Sequence, residues 1–200
     1  MVCRFISSLC MITAIQIANA QEEQVVTGPG PAFFFKNGIG VEAQGYLTGV
    51  IAAIKYEHGF ARSNHAVNVR VGYNLVRHRD LGVQDDERGG GAGLSLGYRY
   101  YFYRDSGLYR GFFLGAKTDL WFNKIHWKNS SGTLQETSGT TRIGVFQPTA
   151  EAGYCWTVRK SFNITPYLAL GAEINVKTKG EAVGQGAIFL AGLSVGYRFK

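Results

Sequence analysis

The stretch Leu94-Ser95-Leu96-Gly97-Tyr98-Arg99-Tyr100-Tyr101-Phe102 decides the fold. Leu94, Leu96, Tyr98, Tyr100 and Phe102 occupy one parity, and Ser95, Gly97, Arg99 and Tyr101 the other. Side chains that alternate every second residue belong to a strand with two different faces. The same period returns along the chain. Val67, Val69, Val71, Tyr73 and Leu75 alternate with Asn68, Arg70, Gly72 and Asn74, and Phe112, Leu114, Ala116, Thr118, Leu120 and Phe122 with Gly115, Lys117 and Asp119. It reappears at Ala150 to Trp156, at Leu168 to Val176 and at Leu193 to Phe199.

Six strong strands follow, over 65–75, 91–103, 109–123, 143–158, 162–176 and 186–199, preceded by weaker ones at 38–46 and 49–58. The two weaker segments alternatively form one bent strand. Eight is the favoured count, because bacterial single-chain barrels use even strand numbers. Connections at 59–64, 104–108 and 159–161 are short, whereas 76–90, 124–142 and 177–185 are longer, polar and glycine-containing. Short turns at one end and long loops at the other predict an all-β, eight-stranded, antiparallel up-and-down transmembrane barrel. Pro148 and Pro166 fall within strands, where a missing donor predicts a bulge or a strand end nearby.

Composition narrows the class. Charged residues make up 18% of the 200-residue chain, below the roughly 25% of soluble proteins, and its 27 glycines are about twice the usual share. The 27 aromatic residues exclude a disordered chain. Outside the N-terminus no run approaches the ~18 apolar residues of a membrane helix, and the length leaves no room for the ~16 strands of a large porin. Residues 1–20 read as a secretory signal, with Arg4 in the basic region, an apolar core to Ile17 and an Ala18-Asn19-Ala20 cleavage site. Residues 21–37 form an irregular periplasmic lead-in, and 38–200 the barrel domain. Cleavage lowers the formal charge from +7 to +6 and leaves Cys155 as the one cysteine, so an internal disulfide is excluded. This mild basic balance, without a Lys/Arg run, suits an anionic membrane surface and carries no nucleic-acid signature.

Alternation alone does not say which face is inside. A soluble lipocalin-like carrier would turn its apolar face inward around a ligand. Three features favour the reverse. The polar face is mostly Gly, Ser, Asn, Thr and Tyr, too poor in charge for a water-facing exterior. Its charges also balance: Lys55, Arg70, Arg99, Lys117 and Arg198 against Glu42, Glu57, Asp119, Glu151 and Glu173, a predicted lumen charge network. Buried charges must pair, and a single base, Arg99 or Lys117, is expected to serve both Glu151 and Glu173. Finally, Tyr56, Tyr100, Phe102, Phe112, Trp156, Phe162, Tyr197 and Phe199 gather at the short-turn ends, as an interfacial girdle would.

With these features the chain resembles the small outer-membrane β-barrels of the OmpA/OmpX-like superfamily. The segment Lys36-Asn37-Gly38-Ile39-Gly40-Val41-Glu42-Ala43 is similar to small barrels of Bacteroidota. The last strand, Gly192 to Phe199, is similar to the family's terminal strand. The resemblance spans about residues 38–200. It implies a location in the outer membrane and contact with its lipid. It also implies recognition of Tyr197 and Phe199 by the barrel-assembly machinery, although the chain ends one residue later, at Lys200.

No metal-spaced Cys/His cluster, phosphate-binding loop or Gly-x-Ser-x-Gly elbow occurs, and no metal or cofactor is expected. His58 and His65 bracket a short turn and read as solvated. His126, Ser130 and Glu136 could mimic the set of a lipid-modifying enzyme, but their spacing on a loop does not place a base beside a nucleophile. Asp85-Asp86-Glu87 offers oxygen ligands yet reads as a solvated charge run. Cys155 points inward as a packed thiol. The leading expectation is a non-catalytic, monomeric outer-membrane barrel with a structural or loop-mediated role and no named extracellular partner. A narrow ion or small-ligand conduit, a lipid-modifying enzyme and a soluble carrier are the alternatives.

Overall fold

Eight segments satisfy their backbone donors and acceptors by pairing with sequence neighbours, and the last pairs with the first. In the computed structural model, which describes residues 37–60, 63–80, 85–105, 108–129, 137–158, 161–179 and 186–199, these are β1 (Asn37–Tyr46), β2 (Gly49–Gly59), β3 (His65–Asp80), β4 (Asp85–Asp105), β5 (Leu108–Asn129), β6 (Thr137–Val158), β7 (Phe162–Lys179) and β8 (Gly186–Phe199). They close into one antiparallel barrel in the order β1 to β8. Closure runs through Val41–Val195 and its neighbouring pairs, so over those rows the sheet has no first or last strand. The weaker segments at 38–46 and 49–58 are two strands, turned at Leu47 and Thr48. The first begins at Asn37, one residue inside the expected lead-in. The signal region and the rest of that lead-in lie outside the described residues, as do Ser130, Glu136 and Lys200.

Strand ends depart from expectation at one end of the barrel. The stretches 76–90 and 124–142 are not mainly loop: pairing runs on through Asp80–Asp85 and Asn129–Thr137, and β7 continues to Lys179 opposite Arg142, with 180–185 outside the described residues. Apolar alternation stops near Leu75, Phe122 and Phe146 because an outward apolar residue is required only within the membrane. The hydrogen-bonded ladder needs no such pattern and continues. On β5, Phe112 to Phe122 rises roughly 26 Å at the usual strand tilt, the height of an apolar band. The remainder of this 22-residue strand extends past that band.

The prolines do not end their strands. The register shifts lie between Tyr101 and Tyr103 and between Gly144 and Val145, the latter near Pro148, and none lies at Pro166. Pro148 pairs with Thr118 on one side and Pro166 with Leu193 on the other. On the β6–β7 seam, however, pairing lapses between Phe146–Ile174 and Thr149–Gly171, and again between Gly153–Tyr167 and Trp156–Ile164. A proline has no N–H to give, and both missing donors fall on this seam.

The outward parity is apolar. Val41, Ile54, Val71, Leu96, Phe112, Phe122 and Leu170 are each about 60% exposed. The inward parity holds the charged and amide side chains together with two apolar clusters.

Candidate functional site: the barrel interior

Alternation fixes parity, so residues that the sequence spreads over seven strands meet in one interior. Nine of the ten expected lumen charges are buried, none more than 7% exposed: Glu42, Lys55, Glu57, Arg70, Arg99, Lys117, Asp119, Glu151 and Arg198. They form one connected set. Arg99 Nε donates to Glu151 Oε1 at 2.6 Å, and its Nη1 lies 3.5 Å from Glu57 Oε2. Arg70 lies 3.3 Å from both Glu42 and Glu151. Glu57 also meets Lys55 at 3.5 Å and Arg198 at 3.6 Å, and accepts from the Tyr101 hydroxyl at 3.2 Å.

A second arm leaves from Glu42. Gln44 Nε2 donates to Glu42 Oε1 at 2.9 Å, and Lys117 donates to Gln44 Oε1. Lys117 also pairs with Asp119 at 3.2 Å, and Ser95 donates to the same carboxylate. These bonds join side chains of β1 to β6 and β8. From β7, Tyr167 contributes a ring face, 5.4 Å from the Arg99 guanidinium carbon and 5.9 Å from Lys117 Nζ. Phe113 lies closer to Arg99, at 4.4 Å. Such charges hold one another in a poorly solvated space, and each cation over a ring gains from the ring's negative face.

Glu173 is a correction to the balanced network. It is half-buried, stands nearer the upper end of β7, and accepts from Gln147 Nε2 at 2.6 Å. Among the described residues no base bridges it to Glu151, which is held by Arg99 and Arg70 instead. Parity placed Glu173 inward correctly; it could not supply height along the barrel axis, and height separates the two carboxylates. The buried set therefore has five cations and four anions.

Above the charges lies a feature the alternation hides. Ile51, Trp121, Ile125, Ile143, Val145, Ala169, Ile188 and Leu190 form a buried apolar cluster inside the barrel, with Tyr46 and Val76 against it. One polar thread enters it: Trp121 Nε1 donates to Gln147 at 3.0 Å, and Gln147 donates onward to Glu173. The Trp121 ring lies against Gly93, where a Cβ would strike it. A sequence signal existed. Val50-Ile51 and Ile188-Phe189-Leu190 are apolar at both parities. Interleaved with the lower charges, Ala66, Tyr101, Phe113, Cys155 and Tyr167 form a second cluster, in which Cys155 Sγ accepts from Arg198 at 3.3 Å.

The expected girdle residues stand at the short-turn end on the outward parity. Phe162 pairs with Tyr197, Tyr197 with Ile39, and Ile39 with Tyr56, a continuous row over four strands. Tyr100 and Phe102 meet edge to face at 5.4 Å, Phe112 and Tyr154 at 4.9 Å, and Trp156 lies 5.1 Å from Tyr154. Phe199 is 38% exposed at the end of β8.

The remaining candidates do not assemble a catalytic set among the described residues. His126 sits on β5, not on a loop, and its Nδ1 lies 2.9 Å from Thr140 Oγ1. Asp86 is on β4 and pairs with Arg88 at 2.9 Å. His58 meets Asn37 Oδ1 at 2.9 Å, and His65 meets the Tyr98 hydroxyl.

No family model matches the sequence, and no curated protein matches it. Among solved structures the chain is similar to Ail, the attachment invasion locus protein of Yersinia pestis, with a TM-score of 0.47 and 13% identity over 82% of this chain and 97% of that one. It is also similar to the N-terminal β-barrel domain of Pseudomonas aeruginosa OprF, with a TM-score of 0.40 and 14% identity over 83% and 98%. Acinetobacter baumannii CarO2 gives a TM-score of 0.48 and 10% identity over 81% and 98%. The chain's own geometry carries the conclusion: it is a closed, eight-stranded, antiparallel up-and-down barrel with an apolar exterior and a charged interior, the architecture of a transmembrane β-barrel.

Proposed function

We propose that the protein is a sealed, non-catalytic outer-membrane barrel whose working surface is the part of β4, β5 and β6 that projects beyond the apolar band. The observation that supports this reading is the double closure of the lumen. An interlocked charge layer lies beneath a buried apolar layer centred on Trp121. An ion crossing the first must break paired buried charges, and crossing the second must shed its water against hydrocarbon. Eight strands leave an interior just wide enough for side chains to fill.

In this reading outer-membrane lipid covers the apolar belt, and the barrel-assembly machinery reads Tyr197 and Phe199 on the last strand. Planar-bilayer recording tests the seal. The wild-type protein should give no steady conductance, and Trp121→Ala should add brief small-ion openings. A large, steady wild-type conductance would replace this reading with the conduit.

A further inference from the structure

Basic side chains cap the apolar band on five consecutive strands. Arg77, Arg88, Lys124, Arg142, Lys177 and Lys179 are all exposed. Lys124 lies two residues beyond Phe122 on the same outward parity, and Arg142 four residues beyond Phe146. Register places several of them face to face: Arg77 opposite Arg88, Lys124 opposite Arg142, and Arg142 opposite Lys179. Like charges directly opposite on antiparallel strands, with Cβ atoms about 5 Å apart, repel and weaken the sheet.

Nothing in the ladder requires this arrangement, because glycine or threonine would fit the same exposed positions. One rung higher, Asp86 stands opposite Lys128, an ordinary complementary pair. On the capping rungs, the ion pair among the described residues is Arg88–Asp86. Arg77, Lys124, Arg142, Lys177 and Lys179 form no ion pair among the described residues, and such a cross-strand row of cations at the height of lipid headgroups is complementary to phosphate.

We propose that this outward belt binds the phosphate groups of a phosphorylated glycolipid in the outer leaflet, with the acyl chains lying on the apolar face directly below. Each phosphate would bridge two cations of neighbouring strands and turn a repulsive rung into a cross-link. The belt faces away from the lumen, so the proposal stands or falls independently of conduction.

The test uses the full-length barrel in neutral phosphatidylcholine nanodiscs doped with bisphosphorylated lipid A or its dephosphorylated form, with retained lipid read by native mass spectrometry. Wild type should retain the phosphorylated form alone. Lys124→Gln, Arg142→Gln and Lys179→Gln should each weaken retention about fivefold, the factor matching about 1 kcal/mol per basic residue at an anionic surface. The triple variant should lose on the order of a hundredfold on the same basis. In undoped nanodiscs the triple variant should melt no lower than wild type, since only repulsion has been removed. Equal retention of both lipid forms, undiminished retention by the triple variant, a lower melting point in neutral lipid, or a preference for a soluble sulfated polysaccharide would each overturn the proposal.

Discussion

Arg99 and Glu151 meet at 2.6 Å over Gly115 of β5, the strand that separates theirs in the wall. Gly115 is the register partner of both residues, so the bond passes over a position without a side chain, where a Cβ would crowd Glu151. Glu151 also receives Arg70, so one carboxylate fixes two guanidinium groups from β3 and β4. Removing it leaves five buried cations facing three anions.

Glu151→Gln keeps the shape and deletes the charge. Breaking a buried pair from one side costs about 3–5 kcal/mol, because the partner stays buried and uncompensated. Urea unfolding in lipid vesicles should show a loss of that size. A loss below about 1 kcal/mol would mean that the lumen is wet enough to screen Arg70 and Arg99.

The outward parity gives a depth-dependent expectation. Leu96, 61% exposed and midway along the apolar stretch of β4, should cost about 2–4 kcal/mol when changed to Arg. Phe102→Arg, at the short-turn rim of the same strand and face, should cost only about 0–1 kcal/mol. Equal penalties in refolding titrations would show that the band is not centred where the exposed apolar residues put it.

The seam between β6 and β7 should be the weakest line in the wall. Two prolines withhold donors there, and the side chain of Glu173 takes no part in the connected charge set. Hydrogen exchange should be faster in peptides from this seam than in those from β4–β5 at the same depth. Pro148→Thr with Pro166→Val restores two N–H groups. Each restored bond contributes about 1 kcal/mol, partly offset by greater freedom of the unfolded chain, so a gain of roughly 1–2 kcal/mol is expected. No gain, together with uniform exchange, would show that the seam is already satisfied.

Alternation made the barrel legible because lipid imposes it residue by residue. At Leu94–Phe102 every second side chain must be apolar, and nothing shorter than a strand satisfies that rule. The same logic explains what stayed hidden. Gly89-Gly90 and Lys124 to Asn129 read as loop, since beyond the band the outward face is released from the rule while pairing persists. Ile51, Ile188 and Leu190 were masked by apolar neighbours on the other parity. Glu173 was assigned the right face and the wrong partner, because a period of two encodes direction and not height. The opposed Lys124, Arg142 and Lys179 are invisible without register, lying far apart in sequence and one hydrogen-bonded pair apart in the sheet.

Orientation links these inferences, and cysteine labelling checks it. Cys155 is 1% exposed, so the native thiol should stay silent toward a membrane-impermeant maleimide. Lys128 lies on β5 above the apolar band and is exposed, whereas Phe60, 45% exposed, follows β2 at the short-turn end. Small outer-membrane barrels keep short turns in the periplasm and send their longer connections outward. Lys128→Cys should therefore label on intact cells, and Phe60→Cys only after the outer membrane is permeabilised. The reverse pattern would put the projecting β4–β6 sheet in the periplasm and the basic belt against the inner leaflet. The glycolipid proposal and the outward working surface would then fail together, while the sealed lumen would be untouched.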